Sequence, residues 1–145
     1  MIGLLQRVSE ARVAVEGTTV ASITVGLLVF VGIRPDDTEA SAHRLLTRIL
    51  RYRVFPDHKG RMNLGLQDAG GGLLLVPQFT LAADTRQGLR PGFSTAAPPN
   101  QARILFDHLL KQAQALYPGV QSGCFGMSMQ VSLVNEGPVT LWLES

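Results

Sequence analysis

The sequence is poor in the residues that most often announce chemistry. It holds one cysteine, Cys124, so no internal disulfide can form, and no second cysteine or histidine stands near it at metal-ligand spacing. A small apolar core side chain is the plain reading of Cys124. The three histidines, His43, His58 and His108, are scattered over separate expected elements, and no metal site is expected from them. Also missing are a serine in a nucleophile elbow, a cysteine with a matched histidine, an HExxH pair, a phosphate-binding glycine loop and a dinucleotide fingerprint. If the chain is catalytic, its chemistry must come from backbone groups, a modest polar side chain or the substrate itself.

Long apolar runs are absent too. Residues 26–33 and 71–76 fall far short of the roughly 20 residues that a membrane-crossing helix needs. The first residues show no basic stretch leading into an apolar segment and a cleavage site, so the expected location is the cytoplasm, with no membrane partner. Charge of one sign is lacking as well: 13 Lys and Arg against 11 Asp and Glu leave a net +2, which permits a polyanionic partner without demanding one. With 46% hydrophobic and 17% charged residues in a chain of 145, the expectation is one globular domain, residues 1–145.

What is there begins with short strands at 2–9, 12–15, 20–24 and 27–33, read as an antiparallel meander with turns at Glu16-Gly17 and Gly26. Asp36 and Glu39 have capping-box spacing, and Ala42, Leu45, Leu46, Ile49 and Leu50 then fall on one helical face, so a helix is expected over about 37–52. Its other face carries Arg44, Arg48 and Arg51, which is either a solvated stripe or a phosphate track. Turn-rich stretches at 56–60 and 68–72 flank a hairpin strand. Residues 73–81 are apolar at nearly every position, the pattern of a strand covered on both faces. Residues 84–99 form a long, aperiodic loop of the kind that carries sites.

A second helix is expected from Ala102, Leu105, Phe106, Leu109, Ala113 and Leu116, stopping before Pro118-Gly119. Two more strands, 130–134 and 139–143, flank Asn135-Glu136-Gly137-Pro138. The expected fold is α+β: a curled, mostly antiparallel sheet, barrel-like, with two helices packed outside.

Two segments look specialised. Pro77-Gln78-Phe79-Thr80-Leu81 sets a proline and polar side chains inside an expected buried strand, where proline removes a ladder hydrogen bond. Gly137-Pro138 interrupts two strands, and by spacing alone it is a turn.

These segments belong to a longer ordered set: Leu5-Gln6-Arg7-Val8, Gln78-Phe79-Thr80-Leu81, Ala83-Asp84-Thr85-Arg86, Arg90-Pro91, Ala96-Ala97-Pro98-Pro99, Phe125-Gly126 and the run from Met129 to Thr140. In order and spacing, across essentially the whole chain, the set resembles the D-aminoacyl-tRNA deacylase family. The resemblance implies a homodimer with each active site at the subunit interface, an aminoacylated tRNA 3′ end as partner, and no cofactor. It implies that Gly137 and Pro138, joined by a cis bond, enter the partner's pocket, hold the substrate ammonium and exclude an L side chain while glycine passes. It further implies that Arg7 steadies that motif, that Gln78, Phe79 and Thr80 form the catalytic strand, and that Phe125 and Met129 line the pocket near the terminal adenine.

Pro77 stands where the family has serine, so a side-chain hydrogen bond at 77 is lost. Backbone N–H groups of Phe79 and Thr80 remain available as an oxyanion hole. Cys124, Met127, Ser128, Gln87, Leu89 and Gly92 are further departures, expected to touch the pocket mouth or tRNA preference rather than the chemistry. Two other readings stay open on the residues alone: an RNA-end-binding module without turnover, and a hydrolase of small esters.

Overall fold

In the computed structural model, which describes residues 1–145, one 14-residue strand, β1 (Ile2–Val15), organises the sheet. The two strands expected over 2–9 and 12–15 are therefore one. The strand has enough length to take β3 (Gly26–Gly32) beside its first half and β2 (Thr18–Ile23) beside its second, both antiparallel. Because β3 pairs with β1 rather than with β2, the expected meander is corrected to a β2-β1-β3 order. Along its other edge β1 carries β8 (Gln130–Glu144) from Ile2 to Ala14.

From β3 the sheet continues in parallel through β6 (Gly72–Pro77) to β7 (Val120–Ser122), so it is mixed, with the three pairings made by β1 antiparallel as expected and these two parallel. Parallel neighbours need long crossovers, and helices fill both of them. The first is α1 (Glu39–Arg51) and the second α3 (Pro99–Leu116). The first crossover also holds a small hairpin, β4 (Phe55–Pro56) with β5 (Met62–Leu64), and a one-turn helix α2 (Leu66–Ala69), which raises the expected two helices to three. Strand β2 curls back against β6 and β7, leaving a nearly closed barrel.

The alternation of β6 explains its unbroken apolar run. Leu73 and Leu75 join the core under the helices, whereas Leu74 and Val76 point into the barrel with Val8, Val13, Ile23 and Leu28. Helices α1 and α3 pack against each other over the first core through Leu45, Leu46, Ile49, Phe106 and Leu109. Helix α1 starts later than its acidic residues suggest. Asp37 is buried and bonds the Met1 ammonium and the Arg34 N–H, so the cap passes to Thr38, which exchanges hydrogen bonds with Ser41 at 3.4 and 3.3 Å.

Two further corrections place the site. The strand expected over 73–81 ends at Pro77, after which Phe79–Ala82 coil into a 3₁₀ turn. The last bond to β3 is the Gln78 N–H donating to Val31 O at 2.8 Å. The turn then folds Leu81 over Gly32, where a side chain on Gly32 would meet the Leu81 Cβ at 2.9 Å. Proline is tolerated at 77 because successive N–H groups point to opposite sides, and its missing donor faces away from β3 at a position where β7 has already ended. At the other end of the chain, the two strands expected at 130–134 and 139–143 are the single strand β8, kinked at its centre.

Candidate active site

Pro77, Gln78 and Phe79 form one wall of a cavity of about 620 Å³. Val31 and Ile33 at the end of β3 contribute to its floor, the segment from Phe93 to Pro99 crosses its mouth, and Phe125 to Ser128 close the opposite side. Volumes of this size suit one small organic ligand. The rim is apolar and open: Phe79 is 58% and Phe93 44% exposed, and their rings lie 5.0 Å apart at 55°.

The 79–82 turn gives this wall its chemistry. The first N–H groups of a helical turn precede any acceptor inside it, so those of Phe79 and Thr80 have no partner within the turn. Such N–H pairs suit an anion or a developing oxyanion. The Thr80 hydroxyl is directed elsewhere, donating to Gln78 Oε1 at 2.8 Å, and Thr80 faces a neighbouring surface pocket with Arg34, Asp84 and Trp142. Nothing activates that hydroxyl. The nearby carboxylate, Asp84, is gripped by Arg86 through bonds of 2.9 and 2.7 Å, and the Arg86 side chain holds its pKa far below the ordinary carboxylate range. A carboxylate held so firmly ionised is a poor proton acceptor.

Phe125 lies inside the cavity wall against Phe106, with ring centroids 6.2 Å apart. Met129 stays just outside the cavity lining, its sulfur 3.3 Å from the Cys124 N–H. Cys124 is half-buried beside it.

Arg7, Gly137 and Pro138 gather at a second place. In the pairing of β1 with β8, Val8 faces Asn135 and Gln6 faces Thr140, so Arg7 alone stands opposite Glu136, Gly137, Pro138 and Val139. The excess residues loop outward. Asn135 staples the base of the loop, its Oδ1 accepting from the Val139 N–H at 2.8 Å and its Nδ2 donating to Val139 O at 3.2 Å. The Gly137–Pro138 bond at the tip is cis, Gly137 has φ +132°, and both residues are exposed. Arg7 Nε donates to Glu136 O at 3.0 Å, and Nη1 donates to Val54 O. Neither Gly137 nor Pro138 lines the cavity of its own chain.

Thus the structure brings Pro77, Gln78, Phe79 and Phe125 into one cavity, sets Thr80 and Met129 at its border, and puts Arg7, Gly137 and Pro138 apart. Residue-by-residue reading of the sequence missed Phe93, Ala96 and Ala97 as lining, although the length of the 84–99 loop marked the segment that carries them. The arginine stripe of α1 is largely engaged with its own chain: Arg44 donates to Ser41 Oγ at 3.3 Å, and Arg48 bonds Glu144 O and lies 5.8 Å from the Tyr52 ring centre.

Comparison with known proteins adds a family. Residues 4–144 match the family model described as D-Tyr-tRNA(Tyr) deacylase. The chain is 62% identical over 144 residues to the D-aminoacyl-tRNA deacylase of Thioalkalivibrio sulfidiphilus, covering 99% of this chain and 97% of that one. It is 61% identical over 145 residues to the protein of that name from Pseudomonas fluorescens Pf0-1, covering all of both. Among solved structures, the c-Myc DNA Unwinding Element Binding Protein superposes with a TM-score of 0.96 at 36% identity, covering 100% of this chain and 99% of that one. A probable eukaryotic D-amino acid tRNA deacylase shares the fold alone, with a TM-score of 0.87 at 16% identity over 99% of this chain and 98% of that one.

Proposed function

The chain belongs to the D-Tyr-tRNA(Tyr) deacylase family and is an ester hydrolase of that class, and on this premise we propose that it clears D-amino acids, and mischarged glycine, from the 3′ end of tRNA in the cytoplasm. The carrying observation is the separation of two half-sites within one chain. An apolar cavity is lined by Gln78 and Phe79 at the start of the 79–82 turn, and an exposed Gly137–Pro138 tip lies outside that cavity. A homodimer in which each tip enters the partner's cavity completes both sites. The long outer edge of β8, with Val134 and Trp142 about half exposed, supports such an association.

In this reading the ester carbonyl sits against the Phe79 and Thr80 N–H groups, and the aminoacylated ribose lies in the cavity beside Phe125 and Met129. Water attacks the carbonyl carbon, with the neighbouring ribose 2′-hydroxyl assisting its deprotonation. The tetrahedral oxyanion is held by the backbone donors, the C–O bond to the ribose breaks as the proton taken from water passes by way of the 2′-hydroxyl to the departing 3′ oxygen, and free amino acid and tRNA leave. Gln78 positions Thr80 through the 2.8 Å hydrogen bond rather than supplying a base. Pro77 shapes the wall without a donor of its own. Carbonyl oxygens of the partner's Gly137–Pro138 tip hold the substrate ammonium, so the α-hydrogen of a D-residue faces the tip where an L side chain would collide. Glycine has no side chain to reject.

Hydrolysis of D-Tyr-tRNA and L-Tyr-tRNA by the purified protein tests this directly. Release of tyrosine from the D form alone is the expected result. Binding without release would make the chain an RNA-end-binding module, and equal turnover of a D-tyrosyl ester lacking RNA would make it a small-ester hydrolase.

A further inference from the structure

Arg103 is exposed near the start of α3, one residue past Ala102, which lines the cavity. Its guanidinium lies 4.8 Å from the centre of the Phe125 ring, and Nη2 donates to Phe125 O at 3.4 Å while resting against Gly126. Phe125 and Gly126 both belong to the cavity wall, so this cation is fixed on the rim. The ring contact restrains the guanidinium, and apart from the long Nη2 bond to Phe125 O its N–H groups have no hydrogen-bond partner, so they remain available for a phosphate contact. No carboxylate competes for it. The first turn of α3 has no acidic residue, and Arg103 makes no ion pair with Asp107 one turn further along. Arg86, another cation of the surrounding loops, is already held by Asp84.

The cavity lining contains no charged residue, so it takes the uncharged part of a charged ligand. Once an aminoacylated terminal nucleoside occupies it, the next group along the strand is a phosphate at the mouth. We propose that Arg103 binds the phosphate joining the last two nucleotides of the substrate RNA, an inference that rests on the deacylase reading. It makes Arg103 a binding residue for the RNA strand.

The test compares two small substrates: the D-tyrosyl ester of adenosine, which has no phosphate, and that of cytidylyl-(3′→5′)-adenosine, which has the one in question. For Arg103→Gln, the ratio of kcat/KM for the second substrate over the first should fall about tenfold relative to the unaltered enzyme, the usual scale of a lost charge-assisted contact. Because both substrates meet the same protein preparation, partial misfolding cancels in the ratio. With D-Tyr-tRNA, the slope of log kcat/KM against log salt should become shallower by about 0.7, one single-strand phosphate contact. An unchanged ratio would overturn the proposal, since a residue that only braces Phe125 affects both substrates alike. Failure of the unaltered enzyme on every D-tyrosyl substrate would instead refute the deacylase reading itself.

Discussion

Arg7 and Glu136 are joined across the β1–β8 ladder by a side chain to main chain hydrogen bond of 3.0 Å, from Arg7 Nε to the Glu136 carbonyl. The same guanidinium reaches Val54 O just before the β4–β5 hairpin, so one side chain links the Gly137–Pro138 loop to the helical layer. A lysine has a single ammonium on a flexible stem and cannot hold both carbonyls in a fixed plane. Arg7→Lys should therefore loosen the loop. The expected loss is about 10- to 100-fold in D-Tyr-tRNA kcat/KM, the range of about 1.5–3 kcal/mol for a hydrogen bond to a charged group. Steady-state kinetics checks this, and an unchanged rate would show that Arg7 does not set the loop.

Thr80→Ala should lower kcat modestly, by less than about tenfold, since the hydroxyl lacks a base and serves Gln78. Rapid-quench assays would show single-phase release. A burst, or an ester trapped on Thr80 in the unaltered enzyme, would identify that residue as a nucleophile and remove the role given to the ribose hydroxyl.

Tyr117 offers a stability test outside the site. It is buried, and its hydroxyl donates to Gly71 O and approaches Leu66 O at 3.4 Å, tying the end of α3 to the start of β6. Burial raises its pKa above the ordinary value of 10.0. The folded state therefore keeps the phenol proton when the unfolded state loses it, and the associated stability is present below pH 10 and lost as pH rises through the folded pKa. Tyr117→Phe should cost about 1 kcal/mol at neutral pH. Denaturant titrations should also show the variant losing less stability than the unaltered protein between pH 9 and about 11. Parallel curves in that window would contradict the assignment.

The sequence was legible where a single period dominates. The apolar faces of α1 and α3 read directly, because Leu45, Leu46 and Ile49, and likewise Leu105, Phe106 and Leu109, repeat as one buried stripe. Leu73 to Val76 were also legible as a strand covered on both faces. The stop at Pro77 was not, since the 79–82 turn depends on room above Gly32, a residue far away in the chain. Asp37 was misread as part of a helix start because its partner, the Met1 ammonium, arrives only in the folded state. Parallel pairing of the short β7 was missed because three residues carry too little pattern. In the candidate site, Gln78 and Phe79 stand out through the proline and polar side chains of their segment and take a catalytic role from the resemblance, whereas Arg103 is marked only by its contact with Phe125 in the fold.

Gly137→Ala tests the tip through sterics. At φ +132° an L side chain is strained, at a cost of roughly 1–3 kcal/mol. The new Cβ would also lie 2.9 Å from both Arg7 Nη2 and Val139 Cγ2. The loop must shift, and with it the carbonyl oxygens assigned to the ammonium. The variant should remain folded, lose most D-Tyr-tRNA hydrolysis, and show a reduced preference for D over L in what remains. Full rate with full discrimination would reduce Gly137–Pro138 to a turn.

Complementation between two inactive variants tests whether each site is shared. Phe79→Pro removes one of the two N–H donors at a position where proline is tolerated, the first residue of a helical turn. Gly137→Ala damages the tip and leaves the cavity intact. In a mixed dimer, the Phe79→Pro cavity would meet the damaged tip, while the intact cavity of the other subunit would meet the intact tip of its partner. One live site per mixed dimer results. Random exchange of equal amounts makes half of the dimers mixed, so activity should recover to about a quarter of the unaltered level. Light scattering should report about twice 15.7 kDa for each variant and for the mixture. Recovery after subunit exchange requires that tip and cavity come from different chains. If the exchanged mixture stays as inactive as its components while the dimers are intact, the tip serves its own chain and the interface site is wrong.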